Sequence, residues 1–410
     1  MADAVVLGGG VAGLAVAREL ALRGARTTLV ERGQLGAEAS WAAAGMLAPQ
    51  IEADGRDDFF DFACESRDAY PAFADALLAE TGIDIELDCT GTLHLAFTEE
   101  DERENERRYE WQHRAGLIVE RLTAEEVCEI EPRLSPRVRS ALRFARAWQV
   151  ENRRLCAALA RSARRGGVEI LEGTEARSVV TARGRVAGVE TARGRIDAGA
   201  VVVACGAWSS LLPCVEDGAP TRATDTQGAE AHERADSSPA DASHTDDANA
   251  LRAPRIEPVR GQILCFAMND AERLTRHVVY SPSGYIVPRR DGRLLAGTTV
   301  ERAGFDKSVT DEGRRAIRAY ATEIAPAVAG LELTDEWAGL RPRAADDLPV
   351  LGASAEIEHL FYATGHYRNG ILLAPLTGTL VADLVMTGET PAPLAPFSPA
   401  RFHRAASHAV

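Results

Sequence analysis

One short stretch, Gly8-Gly9-Gly10-Val11-Ala12-Gly13, constrains this chain more than any other. Residues 4–7 before it form an apolar run suited to a buried strand, residues 11–22 have the apolar spacing of a helix that Gly24 can close, and residues 27–30 read as a second strand. Together they make a βαβ unit, whose crossover is right-handed. In such a unit Gly8 makes the tight turn, Gly10 lets the backbone approach a pyrophosphate, and Gly13 lets helix and strand pack closely. The helix start presents N–H groups and positive potential to phosphates. Glu31 follows 18 residues after Gly13, at the end of the second strand, where it would accept hydrogen bonds from an adenosine ribose. The motif specifies a dinucleotide but does not by itself separate a flavin from a nicotinamide.

A chain of 410 residues suits two domains. With 46% apolar and 26% charged residues it has the balance of a globular protein, and a net charge of −15 disfavours a nucleic-acid partner, whose phosphates require basic patches. Lys307 is the only lysine. The seven cysteines are scattered without a CxxC pair, so neither a metal site nor disulfides are expected. Cys205 reads as a small buried hydrophobe. No signal segment precedes the first strand and no apolar run is read as long enough to span a bilayer, so the expected location is the cytoplasm, without membrane insertion.

Further along, residues 66–80, 100–115, 153–165 and 311–324 read as helices, and 91–96, 168–171, 185–190, 200–204, 262–266, 285–288 and 293–297 as strands. The last unit is a Gly-rich loop at 364–370 leading to a helix at about 375–387. Residues 215–254 lack any aromatic residue and hold little apolar content besides alanine, so they are expected to be a disordered insert.

The fingerprint and four later motifs, in this order, resemble the D-amino-acid-oxidase-type flavoproteins, and within them the glycine oxidases of thiamine biosynthesis. The motifs are Ser40-Trp41-Ala42-Ala43-Ala44-Gly45-Met46-Leu47, Tyr285-Ile286-Val287-Pro288-Arg289, Trp337-Ala338-Gly339-Leu340-Arg341-Pro342 and Gly365-His366-Tyr367-Arg368-Asn369-Gly370-Ile371-Leu372. The resemblance implies an α/β fold in which a discontinuous Rossmann-like FAD-binding domain (residues 1–45, 150–214 and 335–390) joins a mainly antiparallel-sheet substrate domain (46–149 and 255–334). It implies FAD bound without a covalent link, since no cysteine follows Cys265.

By the same resemblance Val11 and Ala12 face the pyrophosphate and Glu31 and Arg32 the adenosine. Ala39, Ser40, Ala44, Gly45 and Met46 line the flavin ring, and Ala176 offers its backbone to the adenine. His366, Tyr367, Arg368, Asn369, Gly370, Ile371 and Leu372 close over the pyrimidine edge. There a helix start would favour the charge of a reduced flavin, although Asn369-Gly370 also reads as a plain turn. Arg341 would grip the substrate carboxylate, a pairing that a planar guanidinium suits. Arg368 and Tyr285 would border the substrate, with Met46 as a further wall; Tyr285 reads equally as a half-buried strand aromatic. Ser283 and Val300 depart from the relatives, which carry His and Met there.

The activity implied is oxidation of glycine or another small amino acid to an imine and 2-oxo acid, by hydride transfer to flavin N5 with molecular oxygen reduced to hydrogen peroxide. D-amino-acid or sarcosine oxidases and dehydrogenases of the same fold are the alternative. A homo-oligomer and contact with thiazole synthase are the further partner expectations. Deleting residues 218–250 is expected to leave flavin content and turnover nearly unchanged, because the segment lacks the apolar residues to join a core; absorbance at the flavin band and an oxygen-uptake assay check it.

Overall fold

The computed structural model describes residues 1–218, 254–268 and 273–402. Most of the expected insert lies outside the described residues. Its first members, Val215 and Glu216, instead belong to the strand Cys214–Glu216, paired in parallel with Ala176–Ala182. This pairing is made by backbone groups, which the composition of the segment does not reveal.

Two sheets carry the architecture, and the fold is α/β as expected. In the first, the strands Leu360–Thr364, Gly194–Val203, Ala2–Leu7, Thr27–Val30 and Glu169–Leu171 run parallel in that spatial order. Gly194–Val203 is read at twice its expected length because its first half pairs antiparallel with Arg185–Thr191 and only its second half joins the parallel layer. Residues 4–7 of the strand Ala2–Leu7 and all of Thr27–Val30 are buried on both faces, which is why they are continuous apolar or β-branched runs. The helix Val11–Leu22 between them has its expected bounds.

The second sheet has eight strands, antiparallel except where Val278–Ser281 meets Thr92–Ala96. Its strands alternate. Leu264, Phe266, Val279 and Ile286 pack toward the helix Asp311–Ile324, while Ile263, Tyr280, Tyr285 and Trp337 join the core on the opposite face. The strand Leu333–Ala344 pairs along Ile256–Ala267 in this sheet. Residues 335–344, expected with the cofactor unit, thus lie on a strand of the second sheet. The motif around Arg341 resembles a cofactor-side sequence because the strand runs along the boundary, where Trp337 Nε1 donates to Ala42 O at 3.1 Å.

The last helix also departs from expectation, running Gly370–Thr387 rather than starting near Pro375. Pro375 lies inside it. A proline there removes the N–H that would bond to the carbonyl four residues back and crowds the preceding turn. The loss is repaired from the long helix Asp58–Thr81, itself eight residues longer at its start than expected. The hydroxyl of Tyr70 donates to Ile371 O, and Ser66 Oγ donates to Leu372 O at 2.8 Å.

By length and composition Gly370–Thr387 would also suffice to cross a membrane, contrary to the sequence reading. It is apolar on most sides because it lies against Val11–Leu22 and Asp58–Thr81, with Gly378 so close that an added Cβ would stand 3.0 Å from Ala15. Tyr70→Phe should therefore strand a buried carbonyl and cost about 1–3 kcal/mol, measured by urea unfolding of the two proteins side by side.

Candidate active site

A cavity opens at the carboxyl ends of the parallel strands, where ligands bind in open α/β sheets. Its first wall is built from Gly10, Val11 and Ala12, from Ala39, Ser40, Ala44, Gly45 and Met46, and from Ala204, Gly206 and Thr364. Its second wall comes from the other sheet and holds Gly261, Tyr280, Tyr285, Thr298, Gly339 and Arg341. His366, Tyr367, Arg368, Asn369, Gly370 and Ile371 close one end. The five sequence motifs thus meet in one place.

The glycine turn is built for an approaching ligand. An added Cβ on Gly8, whose φ is +104°, would lie 2.4 Å from Ala204 O, and one on Gly13 would lie 2.0 Å from Gly8 O, so both are fixed by packing within the chain. Gly10 is different. Its nearest neighbour would be Ser40 Oγ at 3.3 Å, so the bareness of Gly10 serves the cavity. Ser40 Oγ also accepts from Val11 N at 2.9 Å, which places a hydroxyl at the positive end of the helix. The residues present fit a pyrophosphate-bearing dinucleotide at this turn.

Glu31, Arg32, Ala176 and Leu372 are not part of the cavity wall. Glu31 accepts from Gly9 N at 2.7 Å and Gly33 N at 2.8 Å, which leaves further lone pairs on its carboxylate. Arg32 lies 3.8 Å over the Trp208 ring and 3.3 Å from Glu38, so its charge is already engaged. Ala176 opens a strand just past Thr174, whose N–H donates to Glu31 O at 2.8 Å. Leu372 is buried in the first turn of its helix.

The small residues at 39–45 are held by their carbonyls. Asn152 Nδ2 donates to Ser40 O at 2.7 Å and Trp41 O at 3.0 Å, Arg289 Nη2 to Ala44 O at 2.8 Å, and Val150 N to Gly45 O at 2.9 Å. Arg289 belongs to one of the motifs behind the resemblance, and it acts here as a brace: it is buried and also donates to Val150 O at 2.8 Å. On the opposite wall Gly261 and Gly339 are partners in register. A Cβ on Gly339 would stand 2.5 Å from Ala42, and one on Gly261 would stand 2.2 Å from the Arg341 guanidinium. The two glycines together leave a bare patch where both fit.

Arg341 donates to Thr298 Oγ1 at 2.7 Å and Thr299 O at 3.2 Å, both uncharged. Among the described residues no carboxylate lies within ion-pair distance of it, and burial pulls its pKa below the usual arginine value. An arginine so placed remains charged and is short of an anion. Arg368 Nε lies 3.9 Å from Glu52 Oε1, and that carboxylate raises its pKa. Tyr280 and Tyr285 stand side by side with ring centroids 5.3 Å apart, and the Tyr280 hydroxyl donates to Met46 Sδ at 3.0 Å. Burial raises the pKa of both phenols, which stay neutral donors. His366 is neutral too: burial lowers it to about 4, and Nε2 meets Thr377 Oγ1 at 3.1 Å.

The helix starting at Gly370 has no side-chain cap at Asn369, and its first residues, Gly370 and Ile371, line the cavity. Tyr280, Glu52, Thr298 and the Gly261–Gly339 pair escaped the sequence reading. A signal existed for Tyr280, since Tyr280-Ser281-Pro282-Ser283-Gly284-Tyr285 reads as a tight hairpin that brings two tyrosines to one face. Nothing local marks Glu52. Ser283 and Val300 lie outside the cavity, in an antechamber that adjoins it. Arg341→Ala should weaken substrate capture by roughly 2–5 kcal/mol, the usual cost of breaking a desolvated charge pair, while flavin content survives; kcat/KM and the absorption spectrum report the two effects separately.

The family model of the FAD dependent oxidoreductases matches residues 3–249 and 240–384. Glycine oxidase of Pseudomonas aeruginosa is 35% identical over 399 residues, covering 97% of this chain and 98% of that protein. The crystal structure of glycine oxidase from Geobacillus kaustophilus matches with a TM-score of 0.84 at 36% identity, covering 97% of this chain and 98% of that one. The bifunctional protein ThiO/ThiG of Synechocystis sp. is 30% identical over 405 residues, covering 98% of this chain and 54% of that protein.

Proposed function

Because the chain belongs to the family of FAD dependent oxidoreductases, we propose that it oxidises a small amino acid, with glycine the foremost substrate, and that its product supplies thiazole synthesis in thiamine formation. The observation that carries this reading is Arg341, a partly buried guanidinium without a carboxylate partner among the described residues, on the wall opposite the glycine turn. A substrate carboxylate is the natural complement.

When bound, FAD supplies the two-electron acceptor for the substrate Cα–H bond. The chain supplies position and charge. In our reading Val11 and Ala12 face the pyrophosphate, Glu31 and Arg32 the adenosine, and the backbone of Ala176 the adenine. Ala39, Ser40, Ala44, Gly45 and Met46 lie along the ring, and the segment from His366 to Leu372 brings a helix start to its pyrimidine edge. Arg341 takes the carboxylate, Arg368 and Tyr285 border it, and the walls exclude water from the reacting carbon. The 2-oxo acid forms by hydrolysis of the imine, and oxygen takes the electrons as hydrogen peroxide. The glycine oxidases named above and the bifunctional ThiO/ThiG protein, of which this chain matches 54%, support the substrate and the pathway.

Glycine, sarcosine and D-alanine are expected to bleach the flavin anaerobically and to exceed bulky D-amino acids in kcat/KM. Tyr280, Tyr285 and Met46 crowd the cavity, and the preference is graded because one methylene contact is worth only about 1–3 kcal/mol. D-phenylalanine or D-proline exceeding glycine tenfold (about 1.4 kcal/mol) would replace this reading with that of a general D-amino-acid oxidase.

A further inference from the structure

The cavity and the antechamber outside it share Glu52, Tyr280, Tyr285, Thr298 and Arg368, so a molecule passing from one to the other meets these side chains. Only Glu52 and Arg368 among them are charged, and they face each other at 3.9 Å, each about one-third exposed. Deeper in, Arg341 adds a second cation. The remaining antechamber charges lie farther out and have ion-pair or backbone partners of their own, Arg108 the most loosely, at 3.6 Å from Glu104 and 3.8 Å from Asp54 with Nε and Nη1 making no hydrogen bond among the described residues. Glu104 pairs with Arg107 and Arg108, Glu100 pairs with Arg103, and Asp101 accepts from Phe97 N and Thr98 N at a helix start.

Near the reacting position the charges therefore number two guanidinium groups and one carboxylate. That balance leaves one positive charge, the complement of a substrate with a single carboxylate. We infer that Glu52 is a specificity-determining residue which, by neutralising Arg368, sets the site for monocarboxylic amino acids and rejects those with a second carboxylate. A second carboxylate reaching Arg368 would have to displace Glu52 or lie beside it, and like charges at such distances repel strongly where water is scarce. The role differs from that of Arg341, which holds the carboxylate every substrate has. It rests on the amino-acid oxidase reading above.

Sarcosine and iminodiacetate test it, since they share the secondary amine and one carboxylate and differ by the second. Glu52 ends a short helix and, among the described residues, its carboxylate makes no hydrogen bond, so Glu52→Gln should fold. In that variant the ratio of kcat/KM for iminodiacetate over sarcosine should rise about tenfold or more, and Glu52→Asp, which keeps the charge, should stay near the wild-type ratio. Anaerobic titration with acetate and malonate, followed by the flavin absorption spectrum, should show malonate gaining over acetate by a similar factor without any turnover.

Glu52→Ala repeats the test should the glutamine variant not fold. Bleaching by sarcosine in both proteins with an unchanged ratio overturns the inference alone. So does a loss of sarcosine binding without a gain for iminodiacetate, which would assign Glu52 to the substrate amine. No bleaching of the wild-type protein by glycine or sarcosine overturns the oxidase reading and the inference with it.

Discussion

Everything in the site depends on how the segment from Ser40 to Gly45 is held. It contributes only small side chains apart from Trp41, and small side chains alone do little to fix a path. Its carbonyls do the fixing instead. Asn152, Arg289 and Trp337 approach from three directions and each donates to a different carbonyl, with the backbone of Val150 completing the set. Buried carbonyls left without donors would each cost on the order of 1–3 kcal/mol, so these side chains specify the path of the segment. Charge is used here for geometry, since Arg289 is buried with carbonyl and amide oxygens as its close partners and Glu151 at 3.4 Å.

The facing wall solves the complementary problem, which is to bring a cation into an apolar sheet. Gly261 and Gly339 sit in register on neighbouring strands and remove two side chains at one point. Into the space come Ala42 from one side and the Arg341 guanidinium from the other. The geometry puts the cation against neutral oxygens of Thr298 and Thr299, which satisfy its N–H groups without cancelling its charge. Position and residual charge therefore arise from the same pair of glycines.

Much of this was legible in the chain itself. The helix Val11–Leu22 and the strand Thr27–Val30 fell within their expected bounds because the glycines, the apolar spacing and Gly24 agree with one another. Most expected cavity residues meet at one cavity, because their motifs are long and ordered. What escaped depends on partners far away in sequence. The start of the last helix was misplaced because Pro375 reads as a first-turn residue until Tyr70 and Ser66, some three hundred residues earlier, supply what it removes. The pairing of Leu333–Ala344 along Ile256–Ala267 was not legible, because a motif names neighbours in space and not hydrogen-bond partners. Glu52 had no local signature at all, since its meaning comes from Arg368 across the cavity mouth.

Lys307, the only lysine, lies on a connection of the second sheet and pairs with Glu38 at 3.0 Å, beside the small-residue segment of the first. Phe305, two residues earlier, packs its ring 5.4 Å from Trp208. A single primary side-chain amine thus bridges the two halves next to the small-residue segment. Chemistry selective for amines would address one internal position only, and a dye or tether placed there would report on whether the halves stand together or apart.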